Sequence, residues 1–401
     1  MPELADPFRP GPYARLAQVA RESLLANVVE VGGRLGLVAG ANQFRSLWTR
    51  DFAHAVGGLL LAGRGDVVAD HLDLLLERLH PQLGLLPRTL DTMDAKLRVA
   101  WASAARLLPG ASTALAMEGE LEPEYRDQHG QFAIDGNALV ILAALDYAAQ
   151  EGGEAWLARR LPLLNESLLA YGRWLREGLV RQPPFSDWQD SVRRRGEACY
   201  TNLLVHVAAR RLVAAGGQAP ALLLEPLAER IEQAFHAEGG LYLSLARRPY
   251  VSLDANLLAL DLDHVRGPAA DALYAALVQS PFWRRDDAPG FSSYPDYPAP
   301  WRNPGVILAG LGHYHDRIHW SWLSGLAAKV AAGRGDRSSA ERILDVLAAR
   351  VERDGAVVEI YDPRPPHRPF RSLIYRSEAP FSWGAARILE GIAAWSALGE
   401  A

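Results

Sequence analysis

The chain has 401 residues, of which 49% are apolar and 22% charged, and a formal net charge of -5. That balance suits a globular protein with a large core, and the absence of a basic stripe argues against nucleic acid as a partner. The single cysteine, Cys199, excludes an internal disulfide and fits a reducing compartment.

The opening Met-Pro-Glu-Leu-Ala-Asp-Pro lacks the basic-then-apolar pattern of a signal peptide. No apolar run approaches the roughly 18 residues that a membrane span needs. A cytoplasmic location without membrane association is expected, and nothing in the chain speaks to oligomeric state.

Ala, Leu, Arg and Glu at helical spacing predict helices over 13–30, 52–63, 67–79, 137–150, 161–178 and 199–215. The same pattern continues over 220–235, 268–279, 319–332, 338–351 and 382–397. Gly-rich breaks such as Gly63-Arg64-Gly65-Asp66 and Gly333-Arg334-Gly335-Asp336 separate them. Only 241–245 and 357–361 read as short strands. Three stretches rich in Pro and aromatics, 181–190, 281–304 and 362–383, read as ordered functional loops rather than flexible linkers. About a dozen helices without a fixed repeat fit an all-α (α/α)6 toroid barrel with long active-site loops at one end. The expected organisation is one catalytic domain over 1–401, with 1–40 as an N-terminal helix and lead-in and 41–401 as the barrel.

Polar groups beside aromatic rings form five clusters. Trp48-Thr49-Arg50-Asp51-Phe52 opens a helix, where Asp51 is either a first-turn acid or part of a sugar clamp. In the clamp reading Trp48 offers a flat face, Arg50 a donor fork and Asp51 an acceptor for vicinal hydroxyls. Asp135, at the head of an apolar helix, is either a cap or a hydroxyl acceptor. Asp187-Trp188-Gln189-Asp190 sets two carboxylates around an indole. Asp187 can cap a turn, whereas desolvation beside Trp188 is expected to raise the Asp190 pKa and let it hold a proton.

The fourth cluster runs from His313 to Trp322 and includes His315, Trp320 and Trp322. Its three histidines match no metal-helix spacing, so no metal and no cofactor are expected. In the fifth, Glu359 closes an apolar strand and Glu378 precedes Phe381-Ser382-Trp383. A lone acid at a strand end is often only solvated, and Glu378 can equally cap the last helix or bind substrate. No dinucleotide fingerprint, phosphate loop or serine elbow is present, which removes support for hydride transfer, phosphoryl transfer and serine hydrolysis.

In order, these motifs resemble those of the inverting glycoside hydrolases built on the (α/α)6 barrel. That group includes amylo-α-1,6-glucosidases, alkaline/neutral invertases, glycoside hydrolase family 63 and, more distantly, glucoamylases. Trp48 to Phe52 looks like their Trp-x-Arg-Asp clamp, and Ile134 to Leu139 is similar to the Asp-Gly segment that opens a barrel helix. Trp188-Gln189-Asp190 resembles the Trp-x-Asp of debranching enzymes. Ser252 to Ala259 resembles a shared core helix, and Tyr314-His315 with Trp320 and Trp322 a Tyr-His…Trp-Pro loop. Glu359 to Pro363 with Phe381-Ser382-Trp383 looks like the segment that carries the general base. The resemblance runs from about residue 44 to 397.

What the resemblance implies is a general acid at Asp190 and a general base at Glu359. Trp48, Arg50, Asp51, Asp135, Asp187, Trp188, His315, Trp320, Trp322, Glu378 and Trp383 would bind substrate. Inversion needs carboxyl groups about 6.5–9.5 Å apart, leaving room for water. The expected substrate is a small carbohydrate: an α-glycoside giving up its terminal sugar, in the first place glucose. Sucrose and a glucosyl- or mannosylglycerate are alternatives, the last with Arg193, Arg194, Arg195 or Arg317 binding its carboxylate. The bland reading of that arginine run is a solvated helix face. A sugar epimerase or isomerase using His313, His315 and His319 is the competing enzyme class.

Overall fold

The structure is a computed structural model and describes residues 6–237, 239–284 and 288–399. Among these residues there are fifteen α-helices. The first five are α1 (Ala14–Leu25), α2 (Thr49–Leu61), α3 (Gly65–Leu76), α4 (Ala95–Ala105) and α5 (Asp135–Ala148). Next come α6 (Gly153–Leu169), α7 (Cys199–Ala214), α8 (Glu225–Phe235), α9 (Leu253–Asp261) and α10 (Gly267–Gln279). The last are α11 (Pro281–Arg284), α12 (Pro304–Leu308), α13 (Ser321–Gly333), α14 (Arg337–Asp354) and α15 (Ser382–Ala397).

Two kinds of long helix alternate along the chain. α2, α5, α7, α9, α13 and α15 are buried on nearly every side, in keeping with their largely apolar sequences. α8, by contrast, buries only Leu227, Ile231 and Phe235, one stripe at i, i+4 and i+8. The buried helices pack in succession: α2 on α5, α5 on α7, α7 on α9, α9 on α13, α13 on α15, and α15 back on α2. Each is backed by a one-sided helix, α3 on α2, α6 on α5, α8 on α7, α10 on α9, α14 on α13 and α1 on α15.

Glycine lets the tightest of these crossings form. A Cβ on Gly325 of α13 would lie 2.7 Å from the Arg387 carbonyl carbon of α15, and one on Gly58 of α2 would collide with Ala386.

Extended pairs lead into four of the buried helices: Leu47–Trp48, Gly196–Glu197, Val251–Ser252 and His319–Trp320. Each joins a small antiparallel ribbon. Leu47–Trp48 pairs with Thr89–Asp91, which pairs with Glu122–Glu124, and His319–Trp320 pairs with Ile360–Tyr361. These ribbons tie the loops to the N-terminal ends of the buried helices. No helix among the described residues is long and apolar enough to cross a membrane.

Several sequence boundaries shift. The helix expected over 161–178 is α6, which starts at Gly153, carries Pro162 inside it and ends at Leu169. The stretch 13–30 stops at Leu25 and turns into the strand Val28–Val31, paired with Arg34–Leu37. α4 and α9 lie outside the helices expected from periodicity. α9 has only nine residues, buried from Leu253 through Leu260, too short and uniform to show a polar face. Residues 241–245 make isolated bridges rather than a strand, and only Ile360–Tyr361 of 357–361 is paired.

Candidate active site

Trp48 ends its ribbon in extended conformation, and α2 starts at the next residue. Thr49 secures that start from outside the helix. Its amide donates to Arg88 O (3.1 Å) and its hydroxyl to Pro87 O (2.6 Å). That crossing lays the Arg88 guanidinium over the Trp48 ring, 4.6 Å from its centroid.

Arg50 points from the same turn to the head of α5 and grips Asp135 with two bonds, Nε to Oδ2 at 2.7 Å and Nη2 to Oδ1 at 3.1 Å. Asp135 is the first residue of α5, and its carboxylate serves as an anchor for Arg50 rather than a cap. Such a buried bidentate pair fixes the guanidinium plane.

The 186–194 loop is seated by Ser186 Oγ on Phe132 O (2.7 Å) and by Asn303 N on Ser191 O (2.8 Å). It brings Asp190 to Arg50 Nη1 (3.6 Å), Arg88 Nη2 (3.4 Å) and His315 Nε2 (3.8 Å). Burial pushes the Asp190 carboxyl up, but His315, Arg50 and Arg88 outweigh it and hold the group below the ordinary carboxylate value. The upward shift expected from the indole neighbour therefore does not hold, because three basic groups from distant segments converge on the same carboxylate.

Glu359 precedes the strand Ile360–Tyr361 and is 1% exposed. The Tyr314 hydroxyl donates to Oε1 (2.5 Å), the Tyr375 hydroxyl to Oε2 (2.6 Å), and the Glu378 amide to Oε2 (3.1 Å). Burial dominates over these donors and raises its pKa to about 7. Asp51, half-buried in the first turn of α2, is also pushed up to about 7 by burial, against the pull of Arg50.

Adjacent residues link the two acids: His315 faces Asp190, and Tyr314 holds Glu359. Burial keeps the His315 pKa below its usual value, favouring the neutral ring.

Beneath them lies a stack of buried aromatic rings. Trp322 stacks on Trp383 (4.1 Å between centroids), and Trp320 lies parallel to His315 (5.5 Å). Trp188 meets His315, Trp320, Trp322 and Trp383 edge-on, and its indole N–H donates to Asp254 Oδ2 (2.7 Å). The expected sugar-stacking faces of Trp188, Trp320, Trp322 and Trp383 are thus covered by one another, so the rings form a floor. Five buried ring nitrogens here have no hydrogen-bonding partner among the described residues: Trp48 Nε1, Trp322 Nε1, Trp383 Nε1 and both nitrogens of His315.

Two expected substrate binders are spoken for. Asp187 is buried, ion-paired with Arg194 and bonded by Gln182 Nε2 (2.8 Å) and by the Gln189 amide (3.0 Å). The Glu378 carboxylate accepts four bonds from Asn42, Gln43 and Phe44. In the arginine run Arg194 is buried, while Arg193 and Arg195 are exposed.

The three histidines do not converge. His313 pairs with Asp316 (2.8 Å), His315 faces Asp190, and His319 stacks on His367 (4.9 Å). Asp296, His313 and Asp316 present ligand atoms within 4.8 Å of one another, but Arg317 and Arg302 already pair with the two carboxylates.

Arg88 and Tyr375 carried no signal in the sequence. Each is a single residue outside any motif, and only the ribbon pairing and the Glu359 loop bring them in. Tyr314 was visible beside His315, but not its role as a donor to Glu359.

In sequence, the chain matches no protein-family model and no curated protein. In structure it is similar to a rhamnosidase from Klebsiella oxytoca with rhamnose bound, at TM-score 0.65 and 15% identity over 97% of this chain and 65% of that one. A glycosidase in complex with glucose matches at TM-score 0.63 and 18% identity, covering 96% of this chain and 97% of the other. The family 63 mannosylglycerate hydrolase from Thermus thermophilus, in complex with Tris, matches at TM-score 0.61 and 16% identity, over 94% of this chain and 99% of that one. The chain has the fold of these glycoside hydrolases. It spans less than two thirds of the rhamnosidase chain and nearly all of the other two.

Proposed function

We propose that the protein is an inverting glycoside hydrolase, one (α/α)6 catalytic domain that releases the terminal sugar of a small α-glycoside. The cyclic packing of six buried helices, each backed by an outer one, supports the toroid. The observation that carries the chemistry is the 314–315 turn, which sets Asp190 beside His315 and Glu359 beneath Tyr314. The assignment of Asp190 as acid and Glu359 as base rests on the resemblance of their motifs, whereas the resting shifts, Asp190 lowered and Glu359 raised, run the other way.

In this mechanism Asp190 gives its proton to the glycosidic oxygen as the bond to the anomeric carbon breaks. Glu359 takes a proton from the water that attacks from the opposite face. Arg50, held by Asp135, and Asp51 bind hydroxyls of the terminal sugar, and Trp48 with Arg88 borders it. For this role Asp190 has to hold its proton in the complex against the pull of His315, Arg50 and Arg88.

Asp190→Asn and Glu359→Gln are each expected to lower kcat by roughly 100- to 10,000-fold in folded protein. Proton NMR of the first product should show the β-anomer from an α-glycoside. Full activity in either variant, or early retention, would sink the assignment.

A second reading exchanges the roles, because at rest Glu359 is the acid more readily protonated near neutral pH. Aryl glycosides with good leaving groups separate the two, since they spare whichever variant lacks the acid. Sparing of Asp190→Asn supports the first reading, and sparing of Glu359→Gln the second. Glucosides and glycosylglycerates are the substrates to test first. Glucose is bound in one structural neighbour, and mannosylglycerate is the substrate of another by its name.

A further inference from the structure

Glu378 is fully buried yet belongs to neither proton-transfer role. Its Oε2 accepts from Asn42 N (2.8 Å) and Asn42 Nδ2 (3.2 Å), and its Oε1 from Gln43 N (2.8 Å) and Phe44 N (3.2 Å). All four partners are donors, an arrangement that fits a carboxylate and leaves no place for a carboxyl proton. The backbone of the same residue faces the other way. Its amide donates to Glu359 Oε2 (3.1 Å), and its carbonyl accepts from Glu359 N (2.9 Å).

The 42–44 segment leads directly to Trp48, Arg50 and Asp51, and Phe44 meets the Trp48 ring edge-on at 6.1 Å. The excursion that carries α4 is tied to the same segment, through Thr113 Oγ1 to Asn42 Oδ1 and Arg106 Nη2 to Gln43 Oε1, both at 3.1 Å. Space is reserved for the carboxylate: a Cβ on Gly40 would come within 2.5 Å of Glu378 Oε2.

We propose that Glu378 is a positioning residue that locks the Glu359 carboxylate and the 42–51 clamp segment into one unit, setting the attacking water against the bound sugar. This rests on the reading of Glu359 as a proton-transfer residue. The physical reason is leverage. One buried carboxylate gathers three successive residues of the clamp segment, while its own amide steers the Glu359 oxygen. A misplacement of about 1 Å between reacting groups can cost on the order of 100-fold in rate.

Glu378→Gln keeps the shape but turns an NH2 toward groups that are themselves donors. It is expected to speed hydrogen exchange of the amides of residues 42–44, lower kcat by about 10- to 100-fold with a smaller change in KM, and shift the pH profile of kcat. Wild-type exchange, or faster exchange with unchanged kcat and pH profile, would overturn the proposal. So would rescue of Glu378→Ala by azide, which would make Glu378 itself the base. Should Glu378→Gln fail to fold, Asn42→Ala removes one donor from the same carboxylate. It should lower kcat by roughly 2- to 5-fold in stable protein, and unchanged kcat would count against the latch. Glu359→Gln separates the two ideas. Full activity there removes the proton-transfer role, while the exchange result for Glu378→Gln still reports on the latch.

Discussion

The two tyrosine hydroxyls on Glu359 bear directly on the pH dependence of activity. Both donate to the carboxylate and so favour its ionised form, yet burial still carries the group to about 7. If Glu359 is the base, it must be ionised to work, so kcat/KM should fall as pH drops through about 7. Tyr375→Phe removes one donor and destabilises the ionised form, so the acidic limb should move to higher pH. Activity at pH 7 should then drop by about 10-fold and recover in part near pH 8.5. If a limb near 7 appears on the alkaline side instead, Glu359 is the acid and the exchanged roles hold. Legibility at this scale was uneven. Asp190 and Glu359 sit in contiguous motifs that single them out as candidates, whereas Arg88 and Tyr375 are lone residues whose relevance depends on what lies across the fold. Asp187 and Glu378 read as caps or substrate binders because their partners, Arg194 and the 42–44 amides, are invisible to local reading.

Glycine in the middle of helices marks where elements approach most closely. Gly325 of α13 and Gly58 of α2 face α15, the helix that packs against both. Intrinsic propensity disfavours glycine there by about 1 kcal/mol relative to alanine. Gly325→Ala should nonetheless destabilise, because the added Cβ would meet the backbone of Arg387 and Ile388 at 2.7 and 2.8 Å. A loss of about 1–3 kcal/mol is expected for such overpacking, measurable by urea unfolding. A gain in stability would show that the crossing can relax. The long periodic helices were legible from composition, whereas α9 was expected only from the resemblance of Ser252 to Ala259 to a core helix, and the boundaries of α6 were not legible. A short helix buried all round has no polar face to reveal its period, and Pro162 lies inside a helix rather than at its edge.

Across the whole molecule, the candidate site and a buried charge cluster occupy opposite ends of the buried helices. Their N-terminal ends carry the candidate site. Toward their C-terminal ends lies a cavity of about 560 Å³, lined by residues of all six. There Lys329 bridges Asp261 (2.7 Å) and Glu390 (2.8 Å), and Arg387 pairs with Glu390 (2.9 Å). The carboxylates of Asp261 and Glu390 account for the cations gathered here. Lys329→Met should leave two buried carboxylates under-compensated and cost roughly 3 kcal/mol. Thermal or denaturant unfolding would measure that loss, with kcat on a glycoside expected to stay near the wild-type value. A large fall in kcat in folded protein would show that the two ends are coupled.

The chain by itself determined its helical character and the order of its acid and aromatic motifs, among them the two carboxyl groups proposed for proton transfer. These are local properties: periodicity, composition and short contiguous strings survive without knowledge of the fold. Only the tertiary structure decided which acids are engaged elsewhere, which rings cover one another, and how each carboxyl titrates. Charge state and access depend on groups brought together from hundreds of residues apart. Asp190 is held low by Arg50, Arg88 and His315, Glu359 is raised by burial beneath Tyr314 and Tyr375, and Glu378 is spent on Asn42, Gln43 and Phe44.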